Sequence, residues 1–486
     1  MIPNLQAYQY DGPEEFHAVV GQIMAYLGYA GGHEPLPVGA KIVLRNVAGR
    51  YILEGWFGCD EKRWHSAASL GNDAEPGQVI KNLILHWHQR CYGTPVSRWG
   101  TLTGVRPTKL VHHLRDQERD ENKIMDILVS RYHVQPDTAR YLITMTGLQR
   151  PYIERPDHEA ALYIGIPYCP SHCLYCSFPS RLSGSELPSF MDRFIVSVVR
   201  DIQDIAALCR QYDIQIRSVY IGGGTPTCLP IAGQEAILQA VAGNFREIEE
   251  WTVEAGRPDT AGEEVLALLR RYGVNRISVN PQTMQQRLLD LLGRRHRVED
   301  VFDMFSRCRK MGFSVINMDF IAGLPEQTQA DMQENMEIVC QLHPENVTIH
   351  TLALKKRAPL FHHPLRQQIP PAREVSSMLQ SCEDVLKDHG YIPYYMYRQK
   401  YMAGSFANVG YAQRGTISRY NIQMMEERQT ILSAGPGSTT KFLSRDGHSL
   451  KKIYMPKDPE AYVQALSERI RQRRHLCAMI YGGDDT

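Results

Sequence analysis

Three of the eleven cysteines in this 486-residue chain stand within eight residues of one another. The run Tyr168-Cys-Pro-Ser-His-Cys-Leu-Tyr-Cys176 has the spacing C-x3-C-x2-C. Three thiolates on one tight loop can each take one iron of a cubane [4Fe–4S] cluster. The fourth iron then has no protein ligand and stays open to a small molecule, much as an open zinc site does. The rival is a structural zinc held by Cys169, Cys173, Cys176 and His172. Zinc frameworks usually repeat a cysteine pair at a distance, and no second pair is present. His172 also adjoins Cys173 and would point elsewhere if the loop wraps a cubane. The spacing therefore favours the cluster. Cys59, Cys91, Cys209, Cys228, Cys308, Cys340, Cys382 and Cys477 are scattered singly and read as buried or inert.

An odd cysteine count argues against a disulfide framework. The N-terminus lacks a basic segment followed by an apolar one, so no signal peptide is expected. No run reaches the roughly 18 apolar residues of a membrane span. These features predict a cytoplasmic protein with reduced thiols. The net charge of +1 supplies no general field for nucleic acid or membrane. Basic clusters at Arg294–Arg297, Lys355–Arg357 and Arg469–Arg474 read by default as solvated faces.

The length points to a few domains of about 100–200 residues each. Residues 1–150 read as an α+β accessory domain. In it KIVLRNV (from Lys41) and RYILEGWFG (from Arg50) form a hairpin through Ala48-Gly49, and a helix runs over 77–91. From about residue 160 short β-rich runs alternate with amphipathic helices. The strands begin at Ala161, Arg217, Glu250, Asn275, Ser314 and Asn346. Between the first two, Met191, Phe194, Ile195, Val198, Ile202, Ile205 and Cys209 recur at helical spacing. Six β-then-α units predict a parallel sheet in a partial, TIM-like (β/α)6 barrel over 151–360, with ligands at the C-terminal strand ends. Residues 361–486 are less regular and read as a mostly helical C-terminal domain.

The loops after the strands carry the chemistry. An open iron on the first loop resembles the arrangement of the radical S-adenosylmethionine (SAM) class. There the cluster holds the amino and carboxylate groups of SAM, and the hard chemistry belongs to the cofactor. The second strand ends in Gly222-Gly-Gly-Thr-Pro-Thr227, whose glycines let backbone approach a ligand closely. The third ends in Glu254, suited to a ribose or an amino group. The fourth leads to Gln282, with Arg294 beyond it. The fifth carries Asp319, an acid inside an apolar run that is costly to bury unless paired or bound to ligand.

Taken together, these residues resemble the oxygen-independent coproporphyrinogen III oxidase family of radical SAM proteins. The resemblance rests on Tyr163-Ile-Gly-Ile-Pro-Tyr-Cys169, the cysteine triplet, Gly222–Pro226, Asn275-Arg-Ile-Ser-Val, Gln282 with Arg294, and Asp319-Phe-Ile-Ala-Gly-Leu-Pro-Glu-Gln-Thr328. Segments beginning at Thr103, Tyr397 and Tyr420 are similar to its coproporphyrinogen dehydrogenase (HemZ) branch. The resemblance implies cluster ligation by Cys169, Cys173 and Cys176, and contact with the bound SAM by Tyr163, Gly223, Gly224, Glu254 and Ala353. It places Tyr175, Thr225, Gln282, Arg294 and Asp319 at a second SAM molecule or the substrate, leaving the number of SAM molecules open. It implies decarboxylation of coproporphyrinogen III to protoporphyrinogen IX, with a tetrapyrrole substrate, a separate electron donor, and neither nucleic acid nor membrane as partner. Two positions depart from the founding members: Phe178 replaces a fourth cysteine and Gly165 replaces a histidine. Other radical SAM chemistry on a tetrapyrrole therefore stays open, as methyl transfer or haem ring opening. A haem-binding chaperone is the other alternative, although Arg419-Tyr-Asn421 stands where those proteins carry a His-Asn pair and no tryptophan is near.

Overall fold

The computed structural model describes all residues except 1–5, 28, 32–37, 48–49, 58–62, 70–75, 93–96, 103, 105, 155–157, 399–405, 445–446, 448 and 483–486. The Ala48-Gly49 turn, Cys59, and parts of the segments starting at Thr103 and Tyr397 lie outside the described residues. The chain divides into two compact units, Met1–Gly147 and Leu148–Thr486.

The first unit holds β1 (Gln6–Asp11), β2 (Tyr29–Gly31), β3 (Val38–Val47), β4 (Arg50–Phe57) and β5 (Arg63–Ser69) in the order β2-β1-β3-β4-β5. The hairpin expected from the sequence is β3–β4, antiparallel from Val47↔Arg50 to Ala40↔Phe57. Its apolar face (Ile42, Leu44, Leu53, Phe57) packs with Val20, Ile23 and Met24 of the helix His17–Tyr26, and with Ile80 and Ile84 of the helix Pro76–Tyr92.

The second unit is built on β6 (Glu159–Ile166), β7 (Tyr168–Cys169), β8 (Arg181–Leu182), β9 (Gln215–Gly223), β10 (Glu250–Glu254), β11 (Arg276–Gln282), β12 (Val315–Ala322) and β13 (Asn346–Thr351). The six strands expected from the sequence are β6 and β9 to β13, and each is parallel to its neighbour. The C-terminal part supplies the expected helices, chiefly Ala372–Asp388 and Pro459–Tyr481, and five strands besides. These are β14 (Ile392–Arg398), β15 (Ala407–Ala412), β16 (Thr430–Ala434), β17 (Thr439–Leu443) and β18 (Leu450–Tyr454). They extend both edges, giving the order β14-β15-β13-β12-β11-β10-β9-β6-β16-β17-β18. β16 runs parallel to β6, so the first core strand is paired on both sides. No edge of the parallel core is left open.

Strand periodicity sorts the core. Leu162, Ile164, Val219, Ile221, Ile277, Val279, Met318 and Phe320 face the helices and join one large hydrophobic cluster. Alternate positions carry Tyr163, Tyr220, Glu254, Ser278, Asn317, Asp319 and His350, which line the opposite, inner face. The helix Arg419–Glu426 closes the N-terminal end of that inner face. The buried Glu250 carboxylate accepts from Ser418 Oγ (2.9 Å) and from the backbone N–H groups of Arg419 (2.8 Å) and Tyr420 (3.0 Å). A carboxylate at a helix N-terminus satisfies orphan donors and complements the helix dipole. Gln423 completes the seal on Ser218 Oγ at 2.9 Å.

The basic stretch Arg469–Arg474 is not simply a solvated face. Arg473 is fully buried and joins the C-terminal helix to the helix Pro188–Gln211. It donates to Asp201 Oδ1 (2.6 Å), Asp204 Oδ2 (2.9 Å) and the Ser433 carbonyl of β16 (3.1 Å). Asp201 also accepts from Tyr462 Oη (2.7 Å) and the Gly435 N–H (3.2 Å). Removing one partner of such a network leaves uncompensated buried charge. Arg473→Met should therefore cost about 3–5 kcal/mol, read as a lower urea midpoint. An unchanged midpoint would show that the network does not hold this edge.

Candidate functional site

The cysteine loop begins where β6 ends. Gly224 N–H bonds the Ile166 carbonyl (2.8 Å) and Thr225 N–H bonds the Tyr168 carbonyl (2.7 Å), tying the glycine-rich turn to the strand that carries Cys169. This approach has no room for side chains. A Cβ on Gly224 would lie 2.4 Å from the Tyr168 carbonyl oxygen, and one on Gly222 would lie 2.7 Å from the Glu254 carboxyl carbon. Gly223 has φ +112°, which an L-residue rarely adopts.

Cys176 N–H bonds the Cys173 carbonyl (3.1 Å), and Thr225 Oγ1 lies 3.7 Å from Cys169 Sγ. Burial pushes the Cys169 thiol up, and pushes Cys176 up to about 11. The charges of the neighbouring thiols raise these two further, and binding to metal would relieve that by neutralising the thiolates. Among the described residues no three His, Cys, Asp or Glu side chains are arranged to hold one metal ion. In a cubane each thiolate binds its own iron, so the three need not meet at one metal ion. The residues fit a cluster. Phe178 is an exposed side chain whose backbone N–H bonds Cys176, so its replacement of a fourth cysteine leaves the triplet whole.

Around the inner face, Glu254 accepts from Tyr220 Oη (2.6 Å) and the Gly223 N–H (3.2 Å). Burial raises its carboxyl to about 7, and the charge of Asp319 adds to the rise. Tyr163 lies beside Gly223, and its ring stacks in a row with Tyr220 and Tyr420. Asp319 accepts from Asn317 Nδ2 (2.8 Å) and faces His350 Nε2 at 3.9 Å. Gln282 ends β11 with φ +71°, and its side-chain oxygen is buried without a partner. Strain and an unmet acceptor at a strand end make Gln282 a candidate for ligand contact. Ala353, two residues past β13, offers only its backbone and a methyl group. Gly165 is explained by packing: a Cβ there would lie 2.7 Å from the Pro436 carbonyl oxygen, so a histidine has no room.

Thus the structure brings Thr225, Tyr175 and Arg294 against the cysteines, and Tyr163, Gly223, Glu254 and Asp319 together on the inner face. Arg294 is not a free carboxylate clamp, because its two terminal nitrogens are already engaged. The sequence reading missed His350. Its signal was available: it is the one histidine on a core strand, two residues beyond Thr348 on the polar alternation.

Residues 163–339 match the Radical SAM superfamily. The chain is 35% identical over 444 residues to the "Oxygen-independent coproporphyrinogen-III oxidase-like protein HemZ" of Bacillus subtilis (strain 168), covering 89% of this chain and 88% of that protein. The chain belongs to the HemZ family of radical SAM proteins. It is also 27% identical over 265 residues to the "Heme chaperone HemW" of the same organism, covering 53% of this chain and 66% of that one. In fold it resembles the solved coproporphyrinogen III oxidase (HemN) of Escherichia coli, with a TM-score of 0.50, 20% identity, and coverage of 67% of this chain and 73% of that one. Membership of the HemZ family implies a [4Fe–4S] cluster and SAM. No helix among the described residues is long and apolar enough to cross a membrane.

Each of Cys169→Ala, Cys173→Ala and Cys176→Ala should abolish the brown absorbance and iron content of the anaerobically reconstituted protein. Full iron in all three would end the cluster assignment.

Proposed function

We propose that the chain catalyses the oxygen-independent oxidative decarboxylation of coproporphyrinogen III to protoporphyrinogen IX, as a radical SAM coproporphyrinogen dehydrogenase of haem biosynthesis. The observation that carries this reading is the match to HemZ, which extends over nearly the whole of both chains. When bound, the cluster and SAM supply a reductively generated radical that removes a hydrogen atom from a propionate side chain. The chain's own residues do the rest. Cys169, Cys173 and Cys176 hold the cluster. Tyr163, Gly223, Gly224, Glu254 and Ala353 hold SAM, with the ionised Glu254 taking its cationic end. Gln282 and Asp319 keep oxygen atoms available for a second SAM molecule or the substrate. The helix Arg419–Glu426 shuts the inner face from below, so substrate enters at the C-terminal strand ends and water is excluded beneath it. Lys355, Lys356 and Arg357 follow β13 there and suit propionate carboxylates. The electron donor is a separate reductant, and a reducing, cytoplasmic setting suits the cluster chemistry.

A second reading, haem delivery by a chaperone, draws on the HemW matches, which span about half of this chain. A haem titration of the purified protein separates the two, since only a chaperone should retain haem stoichiometrically.

The deciding assay is anaerobic turnover of reconstituted protein with a strong reductant, SAM and coproporphyrinogen III, read by mass spectrometry. We expect 5′-deoxyadenosine together with loss of two CO2 units from the porphyrinogen. 5′-Deoxyadenosine without decarboxylation would keep the radical SAM class and overturn the substrate.

Glu254 gives a pH prediction. Its raised carboxyl ionises only as pH climbs through about 7, and the ionised form is the one that attracts a cation. SAM affinity of the cluster-loaded protein should therefore rise with pH across that range. Glu254→Gln should weaken binding and flatten the rise. An unchanged pH dependence in the variant would place the SAM cation elsewhere.

A further inference from the structure

We infer that Arg294 is a positioning residue for the iron–sulfur cluster: it sets the cluster's reduction potential by fixing a buried positive charge against Cys173. This rests on the cluster assignment and not on the identity of the substrate.

Arg294 is only 5% exposed. Its Nη1 donates to Tyr175 Oη (2.9 Å) and lies 3.9 Å from Cys173 Sγ. Its Nη2 donates to the Gly256 and Asn280 carbonyls at 3.0 and 2.7 Å, just past β10 and within the end of β11. Only Nε is left without a partner. Four contacts from two nitrogens hold the planar fork in one place.

The neighbouring backbone holds it too. Leu174 N–H bonds the Leu292 carbonyl (3.1 Å), so the segment entering Arg294 runs along the cysteine loop. Leu360 N–H bonds the Leu174 carbonyl (2.8 Å) from the other side. Arg294 could swing toward the inner face only by giving up its bonds to Tyr175, Gly256 and Asn280.

The charge needs an anion. Among the described residues no carboxylate forms an ion pair with Arg294 within 4.0 Å. Asp259, a carboxylate whose charge bears on it, is gripped by Arg257 Nε and Nη2 at 3.0 and 2.7 Å. A buried cation without a counterion is costly. Three thiolates outweigh the charge of an oxidised cubane core, and reduction adds one more electron. Of the anions that this chain itself would hold, the cluster is the one set against Arg294. A fixed cation favours the reduced cluster over the oxidised one, and the low dielectric strengthens the effect. Hydrogen bonds to cluster sulfurs and local charge are established levers on such potentials.

The test is a redox titration of the SAM-free, cluster-loaded full-length protein, followed by visible absorbance and electron paramagnetic resonance, with iron content measured alongside. Arg294→Gln should lower the midpoint by at least about 59 mV, a tenfold weaker hold on one electron. Arg294→Lys keeps the charge and should move it less. Tyr175→Phe leaves the cation in place and should move it least. An unchanged midpoint in Arg294→Gln with full iron would overturn the inference. If that variant cannot hold a cluster, Arg294→Lys decides. A cluster retained by lysine near the parent potential supports the charge role, and loss of the cluster there too would mean that Arg294 only packs the loop. Parent protein without a cluster would instead refute the iron–sulfur assignment itself.

Discussion

Parallel strands buried on both faces are ordinarily apolar throughout. In this protein the central strands are apolar on one face only, and the rest of the second unit follows from that. Tyr220, Glu254, Ser278, Asn317 and Asp319 lie inside, where a polar group without a partner costs free energy. The fold meets part of the cost internally. Asn317 bridges Ser278 and Asp319, and Tyr220 donates to Glu254. It leaves another part unmet, in the Gln282 oxygen, the Thr252 hydroxyl and the Tyr420 phenol. An inner face with an incomplete hydrogen-bond network offers a ligand the partners that it lacks.

Holding that face together requires closure at three places. Below, Glu250 seats the helix Arg419–Glu426 across the N-terminal strand ends. At one edge, β16 pairs with β6 and is locked by the buried Arg473 network. Above, the glycine-rich turn is tied to the strand that enters the cysteine loop. The C-terminal part is therefore continuous with the core sheet. Its turn at Gly435-Pro-Gly437 also occupies the space beside Gly165, which ties the altered first loop to the far end of the chain.

How much of this was legible in advance depends on the range of the interaction. The six core strands, the β3–β4 hairpin and the long helices followed from local periodicity, which survives in any packing. Asp319 stood out because an acid breaks an apolar run. His350 was legible only as a polar residue on the strand alternation, since its partner appears when β12 pairs with β13 and sets it 3.9 Å from Asp319. The C-terminal strands were obscured for a similar reason. Thr430–Ala434 is a short segment whose strand character comes from pairing with β6, over 260 residues earlier in the chain. Arg473 read as one charge in a basic run, and only the packing of two helices shows it buried between aspartates.

The sequence by itself determined the chemistry and the frame. Three cysteines at C-x3-C-x2-C spacing, a Gly-Gly-Gly turn one βα unit later and six alternating units specify a cluster loop at the C-terminal ends of a parallel sheet, because loop spacing and strand period are local properties. Tertiary structure alone decided which charges face that loop. Arg294 read as one charge of a basic cluster until carbonyls near two strand ends fixed it beside Cys173. Electrostatic roles depend on distance and dielectric, and both exist only once the chain has folded.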